Sequence, residues 1–331
     1  RRELSRTERD ALLAQSFDSL QNLVAALPDL NLPVQDQNQL AQALDAILRF
    51  DPEHLAADGY LFDTLYKPIS VLPPDQYLAL VLQATEGCSW NRCTFCGLYR
   101  DRDFRIHSPE SFRAHCQAVR DFYAEGISLR RGIFLADANA LIIPQPRLTA
   151  LIEIAQAYFG QPNQPTSIYS FISAFDVNRK SAAEWAELHS MGLERAYIGL
   201  ETGDDALLRF LNKPGSVQDA IEAVHALRAG GVAVGVILMA GIGGDQFAET
   251  HMQRSVEAIQ QMDLGPDDLV YLSHYVSVPG TEYDYQATVA GIRALTNEEI
   301  AAQMRALQAA VRQIVPPQTR VSPYRVDGFA L

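Results

Sequence analysis

Three of the four cysteines in this chain of 331 residues stand close together, in Gly87-Cys88-Ser89-Trp90-Asn91-Arg92-Cys93-Thr94-Phe95-Cys96-Gly97, with the spacing C-x4-C-x2-C. Three thiolates on one short loop can hold a [4Fe–4S] cluster by three of its irons. The fourth iron is then left without a protein ligand and becomes a place for chemistry. A structural zinc ion is closed and four-coordinate, so it needs a fourth ligand, for which Cys116, His107 and His115 are the candidates. No second C-x-x-C occurs, and the cysteines follow an apolar run, Leu78-Ala79-Leu80-Val81-Leu82, rather than a zinc-knuckle pattern. A disulfide pair fits less well, because the cysteines are few and crowded and no signal peptide is visible.

The cysteine spacing resembles that of the radical S-adenosylmethionine (SAM) superfamily, whose most frequent pattern is C-x3-C-x2-C with an aromatic residue before the last cysteine. Phe95 matches that aromatic, and the first gap is one residue longer, as in variant members. Within the superfamily the chain looks like the broad, poorly characterised Fe–S oxidoreductase group without a cobalamin domain. The resemblance implies a [4Fe–4S] cluster on Cys88, Cys93 and Cys96, with SAM bound to the open iron through its amino and carboxylate groups. It implies reductive cleavage of SAM to methionine and a 5′-deoxyadenosyl radical, which takes hydrogen from a substrate. A less common outcome is an aminocarboxypropyl radical. A catalytically silent Fe–S carrier and a zinc-stabilised barrel enzyme are the competing readings.

Composition narrows the partners. The formal net charge is −13, from 27 Lys and Arg against 40 Asp and Glu, which argues against a general nucleic-acid surface. Arg100, Arg102 and Arg105 follow the cysteines and either face an anionic substrate or form a solvated loop. No stretch approaches the roughly 18 to 20 apolar residues of a membrane span. Cysteine usage suits a reducing, cytoplasmic setting. No cysteine follows Cys116, so the extra cluster domains of many peptide-modifying relatives are not expected. The segment before the barrel is too short and too helical for a cobalamin-binding domain. A small-molecule substrate is therefore expected, with an electron donor such as flavodoxin or ferredoxin. The chain begins with Arg, which suggests that the native start lies upstream.

The elements that must position the cysteines read as an α/β protein: a partial (βα)6 TIM-like barrel with an N-terminal helical extension. Three regions are expected: a helical extension at 1–75, the barrel at 76–290, and a C-terminal helix and tail at 291–331. In the first, Thr7-x-x-Asp10 resembles a capping box opening a helix through about Ala26, and a second amphipathic run covers Asn38 to Phe50. Strand-like runs follow at Ala79–Thr85, Gly132–Ala136, Ser167–Ile172, Arg195–Leu200, Val232–Ala240 and Leu269–Val278. Helical runs between them begin near Ser108, Gln145, Ser181, Asp204, Val217 and Gln246, and strands alternating with helices imply a parallel sheet. Residues 297–314 read as a last amphipathic helix with Thr296-x-x-Glu299 as its capping box, and the tail Pro316–Leu331 is poorly patterned.

In parallel barrels ligands gather where the strands end, so the residues there become candidates. The second strand runs into Leu135-Ala136-Asp137-Ala138-Asn139-Ala140-Leu141, similar to a Leu-Ala-Asp-Gly-Asn/Asp-Ala-Leu form in the family, with Ala138 in place of Gly. By that resemblance Asp137 and Asn139 face the SAM methionine; strand-end capping and turn formation is the other reading. Ser173, ending the third strand, is placed to reach SAM or substrate, with a turn-forming serine as the equal alternative. Gly199-Leu200-Glu201-Thr202-Gly203 looks like the family's fourth-strand motif, whose polar residue contacts the SAM ribose or methionine. A carboxylate ending an apolar strand needs a partner, and Lys213 stands where related enzymes place a cation for the SAM carboxylate; capping a helix C-terminus is its other reading. Ile237, Gly241 and Ile242 loosely match the family's glycine-rich fifth-strand motif beside adenine. Tyr271, His274 and Tyr275 on the sixth strand, before Pro279-Gly280-Thr281, could line the substrate side, although a lone His in an aromatic strand is more often a satisfied core residue.

Overall fold

The computed structural model describes residues 4–69, 71–160, 166–277 and 280–324. The chain divides into two compact units, Arg1–Pro68 and Ile69–Leu331.

The first unit is helical: α1 (Arg6–Ala26), α2 (Val34–Leu48) and α3 (Pro52–Leu65). The cap of α1 differs from the one expected at Thr7. The helix starts two residues earlier, with Ser5 as N-cap and Glu8 reaching back, and Thr7 lies inside it. Ser5 and Glu8 satisfy each other's backbone N–H at 2.9 and 3.3 Å, the reciprocal arrangement that a Ser-x-x-Glu sequence provides. Asp51 caps α3 ahead of Pro52, whose missing N–H costs nothing in the first turn.

Among the described residues of the second unit, seven parallel strands form one sheet, and each pairs with the next in chain order. They are β1 (Leu80–Gln83), β2 (Ile133–Ala136), β3 (Ile168–Phe171), β4 (Leu193–Glu201), β5 (Ala233–Ala240), β6 (Leu269–His274) and β7 (Arg320–Tyr324). β1 and β7 are the two edges, so the sheet is an open partial barrel. Six strands were expected; the seventh, β7, comes from the tail. It follows α12 (Asn297–Ile314) and pairs with β6 from Leu269–Arg320 to Ser273–Tyr324. Pro323 sits within β7, where an edge strand tolerates the missing donor. The strand expected at Leu269–Val278 ends at His274, and Val278 and Pro279 lie outside the described residues.

The connections are right for parallel pairing, which needs a long crossover. Helices α4 (Pro109–Tyr123), α5 (Gln145–Phe159), α6 (Ala174–Val177), α7 (Ala182–Ser190), α8 (Asp205–Phe210), α9 (Val217–Ala229), α10 (Gly244–Gln261) and α11 (Glu282–Val289) lie between the strands, in chain order, and α12 precedes β7. β1 and β2 are buried along their whole length, as strands covered on both faces must be. Among the described residues no helix is long and apolar enough to cross a membrane.

The end of the sheet where the strands begin is closed by a polar plug on one carboxylate. Asp75 accepts from the hydroxyls of Tyr197 (2.6 Å) and Tyr271 (2.9 Å) and pairs with Arg195 (3.1 Å). Burial, reinforced by Asp75, pushes both tyrosine pKa values up, so both hydroxyls remain donors. Asp75→Ala leaves two buried hydroxyls and a guanidinium without their acceptor. Urea unfolding should show a loss of about 3 kcal/mol, and a loss below about 0.5 kcal/mol would rule out this account of the plug.

Candidate active site

Because the strands are parallel, their C-terminal ends open on one side of the sheet, and the chemistry-bearing residues leave from there. The cysteine loop follows β1, and Glu86 and Thr85 at its start pair with Arg105 and Ile106 in a short antiparallel ribbon. Cys88, Cys93 and Cys96 are partly exposed free thiols. Burial pushes the Cys93 thiol up to about 11, with the nearby Lys213 pulling it down and Cys96 and Cys88 pushing it up. Burial also raises Cys96. These thiols ionise readily only when a cation takes the place of the proton, and soft thiolates are the ligands that iron–sulfur clusters use. Among the described residues no three His, Cys, Asp or Glu side chains converge as ligands of a single ion. Thiolates on three different irons stand further apart than that.

The residues that a zinc site could recruit are engaged elsewhere. His107 faces Glu86 at 3.3 Å, and His115 accepts from the Gln83 N–H at 3.1 Å. Cys116 is wholly buried on α4, which pushes its thiol up to about 12.

The loop is held from several directions. Arg100 donates to the carbonyls of Asn91, Cys93 and Cys96. Trp90 Nε1 donates to the Asn212 carbonyl at 2.8 Å, Asn212 Nδ2 donates to the Arg92 carbonyl at 2.9 Å, and the Thr94 N–H donates to Leu211 O at 2.9 Å. Arg102 lies over Tyr99 and pairs with Asp101 (3.0 Å) and Asp137 (3.5 Å). Arg100 thus spends its donors on carbonyls of the loop, which need partners where the loop curls, whereas Arg102 is committed to two carboxylates, Asp101 and Asp137. Phe95 packs against Leu207, Leu211, Ile242 and Tyr283.

The ends of β2 and β3 meet this loop. Asp137 accepts from the Gly87 N–H at 3.1 Å, and Asn139 donates to Ser89 Oγ at 2.8 Å. Ser173 donates its N–H to Asn139 Oδ1 at 3.0 Å and precedes α6. Burial pushes the Asp137 carboxyl up to about 6, against the Gly87 N–H and Arg102, which pull it down.

At the end of β4 the register with β5 shifts between Gly199 and Glu201, and Glu201 adopts φ 66°. Such a bulge re-aims a side chain, and here it turns the carboxylate back across the strand. A Cβ on Gly199 would lie 2.3 Å from Glu201 Oε1, and one on Gly203 would lie 2.2 Å from the Arg254 carbonyl. Glycine at both positions makes room for the carboxylate and for α10. Lys213 Nζ reaches Glu201 Oε1 at 3.3 Å. Burial works against the ammonium charge, but Glu201 and Cys93 outweigh it and hold the Lys213 pKa above its usual value.

At the end of β5, Ile237 is nearly buried. Gly241 donates its N–H to Gln303 at 2.7 Å, and Ile242 is wholly buried against Leu207, Leu211 and Tyr283. His274 ends β6 opposite Ala240, and the ring of the partly exposed Tyr275 meets Tyr283 at 5.1 Å. Tyr271 is not brought to this group; its hydroxyl is spent on Asp75 where the strands begin.

Sequence reasoning did not single out Ser89, Asp176 or His251. Ser89 had a signal, being adjacent to Cys88; the other two are distant in sequence and meet the site only through the fold. His251, on α10, is wholly buried with Nδ1 2.8 Å from Thr202 Oγ1.

With this geometry in place, the class is a parallel α/β half-barrel carrying a three-thiol loop at its strand ends. The profile of the Radical SAM superfamily matches residues 82–253, more than half of the chain. The chain belongs to that superfamily and is an enzyme of the radical SAM type. It is similar to 4'-phospho-dehydrooxetanocin synthase of Priestia megaterium, at 24% identity over 216 residues, 60% of this chain and 28% of that one. It is also similar to hopanoid C-3 methylase of Methylococcus capsulatus, at 24% identity over 203 residues, 61% of this chain and 35% of that one. The chain thus spans about a third of the length of the curated relatives it matches. Among solved structures, coproporphyrinogen III oxidase from Escherichia coli shares the fold. Its TM-score is 0.51 at 12% identity, over 77% of this chain and 55% of that one.

Burial pushes the His251 pKa down to about 4, with Asp204 pulling weakly upward. The folded state therefore keeps this imidazole neutral while the unfolded chain takes up a proton near pH 6.5. Its contribution to stability is present above pH 6.5 and is lost as pH falls towards 4, by about 3 kcal/mol. His251→Gln should reduce the pH slope of urea-unfolding stability across that window by about one proton; an unchanged slope would show that His251 does not titrate this way.

Proposed function

We propose that this chain holds a [4Fe–4S] cluster on Cys88, Cys93 and Cys96, binds SAM beside it, and acts on a small molecule. The observation that carries the reading is the meeting of the thiol loop with the Glu201–Lys213 pair. The residues just before Lys213 bond the loop directly, Leu211 accepting from the Thr94 N–H and Asn212 from Trp90, and Lys213 lies 3.3 Å from Glu201. A silent Fe–S carrier has no need of a bulged, charged strand end aimed at its cysteines. The residues fit the cluster in chemistry: three thiols, none in a disulfide, on one partly exposed loop.

When bound, the cluster and SAM supply one-electron cleavage of a carbon–sulfur bond and, in the family's usual outcome, hydrogen abstraction by the adenosyl fragment. This chain's own residues bind and orient. Lys213 offers its ammonium to the SAM carboxylate. Glu201, held by Lys213, accepts from the ribose hydroxyls or the methionine amino group. Ile237, Gly241 and Ile242 form the apolar side near adenine, and Ile242 acts through the packing beneath it. Ser173 borders the same mouth, with Asp137 and Asn139 at its floor. His274 and Tyr275 face the substrate side. Burial pushes the Tyr275 hydroxyl up to about 12, so it stays protonated at neutral pH.

Small-molecule chemistry is supported by the names of the two relatives, a synthase of 4'-phospho-dehydrooxetanocin and a methylase of hopanoids. It is also supported by the acidic net charge of −13. Flavodoxin or ferredoxin serves as electron donor, and a cytoplasmic setting keeps the thiols reduced.

The test is anaerobic reconstitution with iron and sulfide, reduction with dithionite, addition of SAM, and detection of 5′-deoxyadenosine by chromatography and mass spectrometry. The nucleoside is expected with the wild type and not with Cys93→Ala. Methylthioadenosine instead would replace hydrogen abstraction with the aminocarboxypropyl route, and SAM left intact beside an assembled four-iron cluster would favour the carrier. Lys213→Met should weaken SAM binding about tenfold or more, a loss of about 1.4 kcal/mol, by equilibrium dialysis. Unchanged affinity would remove Lys213 from the SAM site.

A further inference from the structure

We propose that Asp137 and Asn139 are positioning residues: together they clamp the residues on either side of Cys88 and so set where that thiolate stands. The inference rests on the reading that Cys88 is a cluster ligand.

The clamp has two arms. In the first, Asp137 takes the Gly87 N–H (3.1 Å) on its carboxylate while its own N–H donates to Thr85 Oγ1 (2.9 Å). The Asp137 side chain is 2% exposed and is balanced by Arg102 at 3.5 Å, whose side chain is itself 8% exposed. In the second, Asn139 donates to Ser89 Oγ (2.8 Å) and to Asp176 Oδ2 (2.7 Å), and its carbonyl oxygen accepts from the Ser173 N–H (3.0 Å). A backbone N–H on one side and a carboxylate on the other fix which way the amide points. Asp176 is held in turn by Arg179 at 2.8 Å.

This arrangement leaves little for a ligand. Both amide hydrogens of Asn139 and its oxygen are in use within the protein, and Asn139 is 1% exposed. The Asn139 side chain therefore acts through Cys88 rather than on a bound amino acid, and Asp137 joins it through Oδ2, which takes the Gly87 N–H. The other two cysteines are held by a separate device, the three carbonyl bonds of Arg100 and the contact of Thr94 with Leu211. Cys88 alone depends on β2, and the Asn91 N–H lies 3.4 Å from its sulfur. Hydrogen bonds near a ligating sulfur and the rigidity of its surroundings tune a cluster. A shift of the Cys88 arm should therefore appear in the cluster's potential as well as in the loop.

The test uses the full chain and two readouts. In the apo protein, amide hydrogen exchange over residues 86–91, followed by mass spectrometry, should speed up about tenfold in Asn139→Ala and in Ser89→Ala. The double variant should be no faster than the faster single one, because both remove the same bond. Asp137→Ala should speed the same segment independently. After reconstitution, the midpoint potential should shift in the same direction in Asn139→Ala and Ser89→Ala. Wild-type exchange and potential in Ser89→Ala, the variant least able to disturb folding, would overturn the clamp. So would Asn139→Ala weakening SAM binding about tenfold with exchange and potential unchanged, since that is the behaviour of a ligand contact. A wild-type chain that takes up no iron would overturn the cluster reading and this proposal with it, whereas variants that load iron normally but exchange like wild type overturn the clamp alone.

Discussion

Parallel hydrogen bonding between successive strands is the constraint on which the site depends. Each strand from β1 to β7 pairs with its chain neighbour in the same direction, so every strand ends on one side and every crossover begins there. A loop of cysteines, an Asp-x-Asn turn, a bulged Glu and a glycine-rich turn are scattered between residues 88 and 244. They share a face because the sheet has a single polarity. Ligands collect at carboxyl ends of parallel strands for that reason in many unrelated enzymes; here the polarity also divides the labour between the two ends.

The two ends solve the same problem differently. Both put a carboxylate where an apolar sheet stops, and a buried carboxylate without partners is costly. Asp75 is saturated by two tyrosine hydroxyls and a guanidinium, which closes its end. Among the described residues Glu201 pairs with Lys213 at 3.3 Å, and a positive φ and a strand bulge turn it back across its strand. Saturation makes a plug; a charged pair with spare hydrogen-bonding capacity suits the SAM-binding role proposed for it. Strained backbone of this kind clusters at functional positions.

Family membership fixes the class of chemistry and leaves the substrate to the particular walls of the site. The two curated relatives share about a quarter of the matched residues, and the chain spans only about a third of their length. What this chain acts on is therefore not read from family membership; on the proposed reading it falls to the side of His274 and Tyr275, where the rings of Tyr275 and Tyr283 meet.

The sequence alone determined what local chemistry encodes. The C-x4-C-x2-C loop, the alternation of strands and helices, the starts of α4, α5 and α9, and the cap of α12 at Thr296 and Glu299 were legible, because spacing, periodicity and capping act over a few residues. The Ser5 cap was misread as Thr7, since overlapping Ser/Thr-x-x-Asp/Glu patterns look alike until the helix axis is known. β7 was missed because its pattern is short and broken by Pro323, and only an available edge on β6 makes it a strand. Which donors were already spent was also beyond the sequence. Arg102 pairs with Asp137, Asn139 with Ser89 and Asp176, and Tyr271 with Asp75, across separations of 35 to 196 residues. Such partnerships form only when the strands have aligned, because burial leaves each polar group no alternative acceptor or donor.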